Sequence, residues 1–504
     1  MSPESRKTLG FVTVALVLTG AAYLNTADRT GADVVFNDQG QPFFPDFKDP
    51  LACTDMEVVE FDDSTATVRQ FKVMFKDGKW VIPSHHNYPA DAKDRLAKTA
   101  AGVIDLVKDT IRSDRPEDHE ALGVLDPLDL KGPLKGRGKR ITLKDKSEKV
   151  LADFIIGNEV RDRTGQRYVR VPSQKRTYGV NVNVDLSTRF PDWIETNLLK
   201  LDASHLRSIT FNSQKVDPER GRLIPGEVIT ITRKDAGAPW EFEGGLPAEQ
   251  ELNTEKLTTL TSALGDLKLV GVRPKPPGLS RELKLASTNT VEAKTNSELS
   301  SLLSKGFYPT DKGLYSNQGE VILKTDEGAV YTLRYGEVVF ATGDQLEAGG
   351  AEEDSAKSAE KPAEGAKENR YLMVTVSFDP TLLPEPEKPQ ESLVIPDDPF
   401  QKAPDDPKRI AEEKAAQEKA DRERAEDEKR IAEAEKKVKE LSDRFADWYY
   451  VTPGESFRSI ALDRSGIVQP KGTNPPTPPP SGGFPAGGLP PGLSLPEGLG
   501  GAHP

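Results

Sequence analysis

The clearest hydrophobic pattern in the chain lies between residues 68 and 109. Apolar and polar residues alternate at its start, as in a half-buried strand, and the Asp77-Gly78 pair predicts a hairpin turn. A second strand begins at Trp80, and Asp91 is in position to cap an amphipathic helix. The apolar stripe of that helix is Leu96, Ala100, Val103, Ile104, Val107 and Ile111. The pattern therefore predicts a strand hairpin covered by a helix.

The same order of elements recurs, in weaker form, between residues 228 and 268. Val228–Arg233 and Trp240–Phe242 predict a hairpin, and the next helix has leucines at helical spacing: Leu257, Leu260, Leu264 and Leu267. Short strands follow both helices: Ile141–Leu143, Leu151–Gly157, Arg167–Val171 and Thr177–Val180, then Glu320–Lys324, Tyr331–Gly336 and Asn369–Val374. We predict an α+β fold with two repeated antiparallel sheet-plus-helix units, residues 56–204 and 205–380.

The second unit lacks its last strand where the first unit would place it. Asp447–Val451 and the following Ser456–Leu462 resemble Arg176–Val180 and the short closing helix at Phe190–Leu199. Residues 448–466 are therefore predicted to return to the second unit as its final strand and a short helix. Residues 381–447, a Pro-rich linker followed by a long charged helix, then become an insertion.

The long helix, Lys408 to Phe445, divides into two parts. Charged residues and alanines dominate its first half, where pairs such as Glu418 with Arg422 support a solvated rod. The second half keeps heptad spacing through Ile431, Ala434, Val438, Leu441 and Phe445. This apolar stripe requires a partner, either the sheet of the same chain or a second helix in a coiled coil.

Composition limits how much of the chain can fold. The 40 Pro and 41 Gly are unevenly spread, and the C-terminal third is poor in apolar residues. Two segments are predicted to be disordered: the Ala/Glu/Lys/Gly-rich insertion 343–367 and the Pro/Gly-rich tail 467–504.

The N-terminus predicts a membrane anchor. Arg6 and Lys7 precede an apolar run from Leu9 to Leu24, which can span a bilayer if the next two residues are included. Residues 1–28 are the predicted transmembrane anchor, and residues 29–55 are a linker. Basic residues before the run place the bulk of the chain on the periplasmic or extracytoplasmic side of a bacterial inner membrane. A cleaved signal peptide is the alternative, since small residues surround Gly20-Ala21-Ala22.

Charge and cysteine content exclude several classes of protein. A net charge of −13 repels nucleic acid and anionic lipid as general partners, although local basic patches remain compatible with it. Cys53 is the single cysteine, so an intramolecular disulfide is impossible. It is interpreted as a small half-buried side chain, with an intermolecular bridge or a lipid as the other readings.

No residue set predicts a reaction centre, a cofactor site or a metal site. The His85-His86 pair lies near Asp91 and Asp94 but lacks a third ligand at a suitable spacing, so it is interpreted as part of a loop. His119, His205 and His503 are isolated, and no histidine is paired with a plausible nucleophile and an orienting acid. Gly136–Arg140 lacks the glycine spacing of a phosphate loop and reads as a basic loop before a strand.

The first unit resembles the bacterial family catalogued as domain of unknown function 4340 over Phe71 to about Leu199. The residues that carry the resemblance are Trp80, Tyr88-Pro89-Ala90-Asp91, Gly123-Val124-Leu125-Asp126-Pro127, Ile156-Gly157, Arg167-Tyr168-Val169 and Tyr178. The resemblance implies a membrane-anchored extracytoplasmic protein, and some members are encoded beside ABC-type transport or gliding-motility components. It implies no catalytic residues.

These observations favour a non-enzymatic scaffold or accessory protein that contacts other envelope or membrane proteins. Its partners could include components of an ABC-type transport or motility complex. Tyr450–Ala461 is similar to the start of a peptidoglycan-binding LysM module, which keeps a wall-binding protein as an alternative. An enzyme acting on envelope glycans is a further alternative, which would need paired carboxylates in a cleft between the units.

Overall fold

The structure is a computed structural model, and it describes residues 38–63, 66–129, 131–161, 163–184, 186–217, 222–276, 279–284, 293–309, 313–341, 343–349, 367–384 and 407–474. The predicted anchor, residues 1–28, lies outside the described residues, as do most of the insertion 343–367 and residues 475–504 of the tail. Within the described part, no helix is long and apolar enough to cross a membrane.

The chain has a mixed α+β fold with several antiparallel sheets. The elements of the first part are β1 Asp55–Asp62, β2 Thr67–Lys76, β3 Lys79–Ile82, β4 Tyr88–Pro89, α1 Lys93–Ile104, β5 Thr110–Ser113, α2 His119–Leu122, β6 Lys139–Lys144, β7 Val150–Glu159, β8 Gln166–Arg170 and β9 Thr177–Asn181. Asp77 and Gly78, with φ of 50° and 79°, form the predicted tight turn between β2 and β3.

The second part begins with six β-strands that precede its first α-helix. Its elements are β10 Leu206–Asn212, β11 Lys215–Asp217, β12 Arg222–Ile224, β13 Val228–Thr232, β14 Glu241–Phe242, β15 Gln250–Leu252, α3 Thr254–Gly265, β16 Gly271–Pro274, α4 Ala293–Ser304, β17 Phe307–Pro309, β18 Leu314–Ser316, β19 Glu320–Thr325, β20 Ala329–Val339, α5 Gly343–Glu347 and β21 Asn369–Phe378. The last elements are α6 Pro407–Phe445, β22 Trp448–Pro453, α7 Gly454–Ile460, α8 Arg464–Ile467 and β23 Val468–Pro470.

Two large sheets organise these elements. The strands of the first sheet lie in the order β4-β3-β2-β1-β6-β7-β8-β9-β5, and those of the second in the order β14-β13-β10-β19-β20-β21-β22-β16. Position by position, β3, β2, β1, β6, β7, β8, β9 and β5 of the first sheet correspond to the strands of the second. As predicted, β22 returns after the long helix and pairs with β21, with Leu372 opposite Tyr450.

A local irregularity also recurs in both sheets. The ladder between β7 and β8 shifts register after Ile156, and the ladder between β20 and β21 shifts after Tyr335. Each shift begins at a glycine, Gly157 or Gly336, whose carbonyl accepts a hydrogen bond from Arg167 or Arg370 on the neighbouring strand. The two sheets therefore share a bulge and its arginine as well as a strand order.

The two sheets share one continuous hydrophobic core. The buried face of α1 supplies Leu96, Ala100 and Val103, and that of α3 supplies Leu257, Leu260 and Leu264. A second, smaller cluster lies on the opposite face of the second sheet and consists of Leu283, Leu302, Phe307, Leu314, Val339, Tyr371, Met373, Tyr449 and Val451.

Several details of the first helix differ from prediction. The helix begins at Lys93, and Ala92 rather than Asp91 occupies the N-cap position, without a side-chain cap. The Asp91 amide instead donates to the Trp193 carbonyl (2.8 Å). The helix ends at Ile104, so Val107 lies beyond it and Ile111 belongs to strand β5 opposite Tyr178. Short edge strands such as β5 and β16 carry too few residues for alternation to reveal them.

Parts of the segments predicted to be disordered are ordered. Residues 343–347 form α5, whose carbonyls at Gln345, Leu346 and Glu347 accept hydrogen bonds from the buried Arg273 guanidinium. Strand β23 pairs with β15, and Asn474 contributes further hydrogen bonds to this region. Tertiary hydrogen bonds to distant residues therefore order segments whose composition alone predicts disorder.

The predicted closing helix of the first unit is shorter than expected. Residues Phe190–Trp193 form one 3-10 turn, and Leu198 lies outside any helix, with its amide donating to the Leu267 carbonyl (2.8 Å). This contact joins the end of the first unit to the residues that follow α3.

Candidate functional site

The long helix α6 has its C-terminal half built into the core. Val438 and Phe445 are buried, and the Phe445 ring meets the Tyr450 ring edge-on at 6.0 Å. Tyr450 donates from its hydroxyl to the Arg444 carbonyl (3.2 Å). The heptad stripe predicted from sequence therefore packs on the sheet of its own chain, the first of the two partners considered.

Polar contacts fix the end of the same helix. Lys275 Nζ donates to the Phe445 carbonyl (2.8 Å), and Arg444 donates to the Asn197 carbonyl (2.9 Å). Burial lowers the pKa of Lys275 to about 8 against the opposing charge of Asp447. A cation at the carbonyl end of a helix also interacts favourably with the helix dipole. The end of the helix is thus held by Lys275, which follows β16, and by Asn197, which lies in the segment between the two sheets.

The N-terminal half of α6 makes a different kind of surface. The ion pairs described there are between residues of the helix itself, Lys414 with Glu418 and Lys419 with Glu423, at 3.9 and 3.8 Å. Further along the helix, Lys437 forms an ion pair with Glu327, a residue outside the helix (3.8 Å). At ~1.5 Å per residue, the outer half extends about 35 Å from the part that lies on the sheet. This half is a charged rod that leaves the body of the protein.

The His85-His86 pair lies where the two units meet. His85 is buried, stacks on Phe190 at 4.3 Å, and has Nε2 at 3.3 Å from the Glu347 carboxylate. His86 Nε2 lies 2.7 Å from the Ala348 carbonyl oxygen. The two histidines therefore hold the end of α5, Glu347, and the next residue, Ala348, against the first unit. The loop interpretation of the pair omitted this contact, because Glu347 is 262 positions away in sequence.

His85 also has a serine beside it, contrary to the expectation from sequence. Ser84 Oγ lies 3.0 Å from His85 Nδ1, which places the imidazole between a hydroxyl and a carboxylate. A cavity of about 160 Å³ adjoins these side chains and is lined in addition by Glu60, Arg69, Gln70, Phe71, Thr188, Ala348 and Gly349. The Ser84-His85 pair is visible in the sequence because the two residues are adjacent. Glu347, the carboxylate on the other side of the imidazole, is not, because it lies far away in the chain. The arrangement can bind a small polar group, and its hydrogen bonds fasten the end of α5 to the first unit.

A larger cavity lies at the far edge of the first sheet. Its volume is about 470 Å³, and its lining is Gln39, Gly40, Asp105, Val107, Asp109, Val180 and Asn181. Asp109 accepts a hydrogen bond from Gln166 Nε2 (2.9 Å), so one of the two carboxylates that line the cavity already has a partner. Among the described residues, no group of three or more His, Cys, Asp or Glu side chains is arranged to hold a metal ion.

The remaining sequence candidates have structural partners. His119 Nε2 lies 2.7 Å from the Lys175 carbonyl, and His205 Nδ1 lies 2.7 Å from Asp326. His503 lies outside the described residues. Cys53 is buried rather than half-buried, and burial raises the pKa of its thiol to about 12, which disfavours the reactive thiolate. Asp94 is exposed in the first turn of α1.

The segment that resembles a LysM start is used inside the second sheet. Strand β22 lies between β21 and β16, so both of its edges are paired. Helices α7 and α8 and strand β23 follow, but β23 pairs with β15 and does not return to β22. Residues 450–461 therefore close the second sheet, and their strand edges are taken by neighbouring strands.

Comparison with known families gives one match. Residues 80–285 match the family model described as Domain of unknown function (DUF4340), which confirms the resemblance expected from the first unit. The matched residues begin in β3 and extend past the first unit and beyond β16. Comparisons with curated proteins and with solved structures gave no match.

Proposed function

We propose, for a chain whose residues 80–285 carry a DUF4340 domain, that it is a non-catalytic, membrane-anchored accessory protein. It would lie on the extracytoplasmic side of a bacterial inner membrane and contact other envelope or membrane proteins, with ABC-type transport or motility components as the first candidates. The anchor rests on the apolar run from Leu9 to Leu24.

The observation that carries the proposal is the division of α6 into a rooted half and a projecting half. A helix whose inner end is in the core and whose outer half leaves the body is a rigid arm of fixed direction. The outer half keeps charged residues of both signs on its surface, including Glu418, Arg422 and Glu423. Arg424 and Asp427 fall at the seam positions that continue the inner heptads, which disfavours pairing with a second copy of the same helix. The arm therefore favours a different protein as its partner.

We further infer that the two sheets are copies of one module. The matching strand order and the repeated bulge with its arginine support this, because unrelated sheets would share neither. In this reading α6 is an insertion between the last two strands of the second copy, and the first copy has no counterpart to it among the described residues.

The experiment is site-specific photo-crosslinking of the full-length chain in its own membrane. A crosslinking amino acid is placed at exposed Glu418 or Arg422 on the arm, and at exposed Thr258 of α3 as the matched control. We expect capture of a discrete envelope or membrane protein from the arm positions and none from the control.

Deletion of residues 408–428 provides the second measurement. It removes the outer rod and leaves Val438, Leu441 and Phe445, the residues of the helix that pack in the core, so the chain should still fold and reach the membrane. Co-purification of the captured protein should be lost. Equal capture from the arm and control positions, together with an unchanged set of co-purifying proteins after the deletion, would contradict the proposal.

A further inference from the structure

One loop of the first unit exposes apolar and basic side chains together. This segment, residues 126–129 and 131–138, is called here the basic loop and lies between α2 and β6; residue 130 is outside the described residues. Leu128 and Leu134 are 48% and 57% exposed, and Lys131 and Lys135 beside them are exposed as well. Exposed apolar side chains combined with lysines are the composition of segments that bind at a membrane interface.

The basic loop is held in one shape by Arg137. Its guanidinium donates to the carbonyls of Pro133 (3.0 Å) and Asp129 (2.6 Å), with longer bonds to Pro127 and Gly132. The same guanidinium lies 4.3 Å from the centre of the Phe61 ring. Because the Arg137 guanidinium is hydrogen-bonded to carbonyls of the loop, it stabilises the loop conformation and is not available to bind a phosphate. The loop conformation leaves Leu128 and Leu134 exposed to solvent.

The carboxylates of the basic loop are engaged locally. Asp126 pairs with Arg140 (2.8 Å), and Asp129 Oδ1 accepts from the Lys131 amide (3.0 Å). The β7–β8 turn adds exposed Arg161 and Arg163 at the same end of the sheet, because β7 ends and β8 begins there. With Lys131 and Lys135 these make four exposed cations at one end of the first sheet, where exposed Glu159 and Asp63 also lie.

The described chain also begins at this end of the first sheet. Gln39 and Gly40 line a cavity with Val180 and Asn181, and Asn181 is paired with Gln166 at the start of β8. Residues 1–28, the predicted anchor, precede this point by a short linker. The bilayer surface would thus be adjacent to the basic loop.

We propose that the basic loop and the β7–β8 turn lie against the anionic headgroups of the bilayer that holds the anchor. Leu128 and Leu134 enter the interfacial region, while Lys131, Lys135, Arg161 and Arg163 meet lipid phosphates. Apolar side chains flanked by cations favour an anionic lipid surface over a neutral one. The proposal rests on the membrane anchoring in the proposed function and adds the orientation of the first unit on the membrane.

The test uses the full-length chain in lipid nanodiscs, with an environment-sensitive fluorophore on Leu134→Cys. Cys53 is buried, so the label goes to the introduced thiol. The matched control is Val228→Cys, a 61% exposed apolar position on β13 of the second sheet. In discs containing phosphatidylglycerol, we expect blue-shifted emission and quenching by brominated lipid at 134 and neither at 228. In discs of phosphatidylcholine alone, the effect at 134 should weaken.

Charge variants make the test specific. Lys131→Gln with Lys135→Gln should lower the equilibrium constant for contact about fivefold for each charge removed, since a lysine near an anionic surface contributes on the order of 1 kcal/mol. Water-like emission at 134 in a chain that co-elutes with anionic discs overturns the proposal and leaves the anchor intact. A chain that does not co-elute overturns the anchoring as well. A crosslinker at 134 that captures a protein in cells, with no lipid contact in discs, assigns the basic loop to a protein partner and also overturns the proposal.

Discussion

The two sheets carry equivalent tyrosines that are covered by different segments of the chain. Tyr178, opposite Val169, meets the Phe43 ring edge-on at 5.2 Å and donates to the Asp38 carboxylate (2.6 Å). Tyr450, in the same position opposite Leu372, meets Phe445 at 6.0 Å and donates to the Arg444 carbonyl. A segment of turns and bends before β1 covers the first tyrosine, and the end of a 39-residue helix covers the second.

This difference teaches what the sheet requires of its covering segment. Each tyrosine has a ring at its edge and an acceptor for its hydroxyl, and either an irregular segment or a helix end can supply both. An insertion can therefore enter between the last two strands without loss of the core, provided that its final residues replace the linker contact. The end of the long helix thus occupies, in the second sheet, the position that the segment before β1 occupies in the first.

The opposite faces of the two sheets also differ. Arg170 on β8 is buried and donates to the carbonyls of Val124 and Pro172, whereas Met373 at the equivalent position of β21 lies in an apolar cluster. Burial lowers the pKa of Arg170 against the charge of Asp126. The first unit therefore holds its covering loop with hydrogen bonds, and the second holds α4 by apolar packing.

The largest expected effect tests whether the arm is rooted in the core. Phe445→Ala should lower the free energy of unfolding by about 3–5 kcal/mol, because it empties a fully buried ring site. Phe43→Ala, at the equivalent position of the first unit, should have an effect of similar size. Urea denaturation of each variant measures both, and a loss below about 1 kcal/mol for Phe445→Ala would break the comparison.

Removal of the two hydroxyls separates the charged acceptor from the neutral one. Tyr178→Phe should cost about 1.5–3 kcal/mol, since its acceptor is a carboxylate, and Tyr450→Phe about 1 kcal/mol. Burial acts to raise the pKa of Asp38, but the hydrogen bonds from Tyr178 and Lys108 and the charges of Lys108 and Arg176 outweigh it and lower that pKa.

The lowered pKa of Asp38 gives the Tyr178 prediction a pH dependence. A carboxylate with a depressed pKa stabilises the fold above its unfolded value, near pH 4, and this contribution disappears as pH falls through the folded-state pKa. The cost of Tyr178→Phe should therefore shrink in acid, while that of Tyr450→Phe stays constant. Chemical denaturation at pH 7 and pH 3 compares them, and parallel pH profiles would count against the assignment.

The repeated bulge is tested by a pair of glycine substitutions. A Cβ at Gly157 would lie 2.4 Å from the Leu122 carbonyl oxygen, and one at Gly336 would lie 2.3 Å from that of Lys305. Gly157→Ala and Gly336→Ala should each cost about 1–3 kcal/mol, since backbone must move to make room. Gly237→Ala is the control, because a Cβ there would approach Asp235 Oδ1 at no less than 3.6 Å and the residue has no positive φ. Unequal losses at 157 and 336 would weaken the case that the sheets are copies.

The smallest expected effect concerns the outer arm. Lys419→Ala breaks the ion pair with Glu423, both of whose side chains are largely exposed. The free energy of unfolding should change by no more than about 0.5 kcal/mol. Val438→Ala, on the buried half of the same helix, is the matched comparison and should cost clearly more. Equal losses from the two substitutions would show that the helix is not divided as described.

Much of the fold was accessible from the pattern of apolar residues. The hairpin at Asp77-Gly78, the strands around Gly157 and Gly336, and the long helix all have strong local signals. Even the return of Trp448–Pro453 to the second sheet could be predicted, because the first unit supplied a template for its last strand. Short strands and irregular caps could not, since β5, β16 and the start of α1 lack a repeating pattern.

Sequence by itself determined which residues become buried and with which periodicity, because alternation and helical spacing are local properties of the chain. The tertiary structure alone decided what covers each buried surface: Phe43 for one tyrosine, Phe445 for the other, and Glu347 beside His85 across 262 positions. Whether a side chain is buried depends mainly on its own polarity and on the local pattern. Which residue packs against it depends on how distant segments of the chain are brought together.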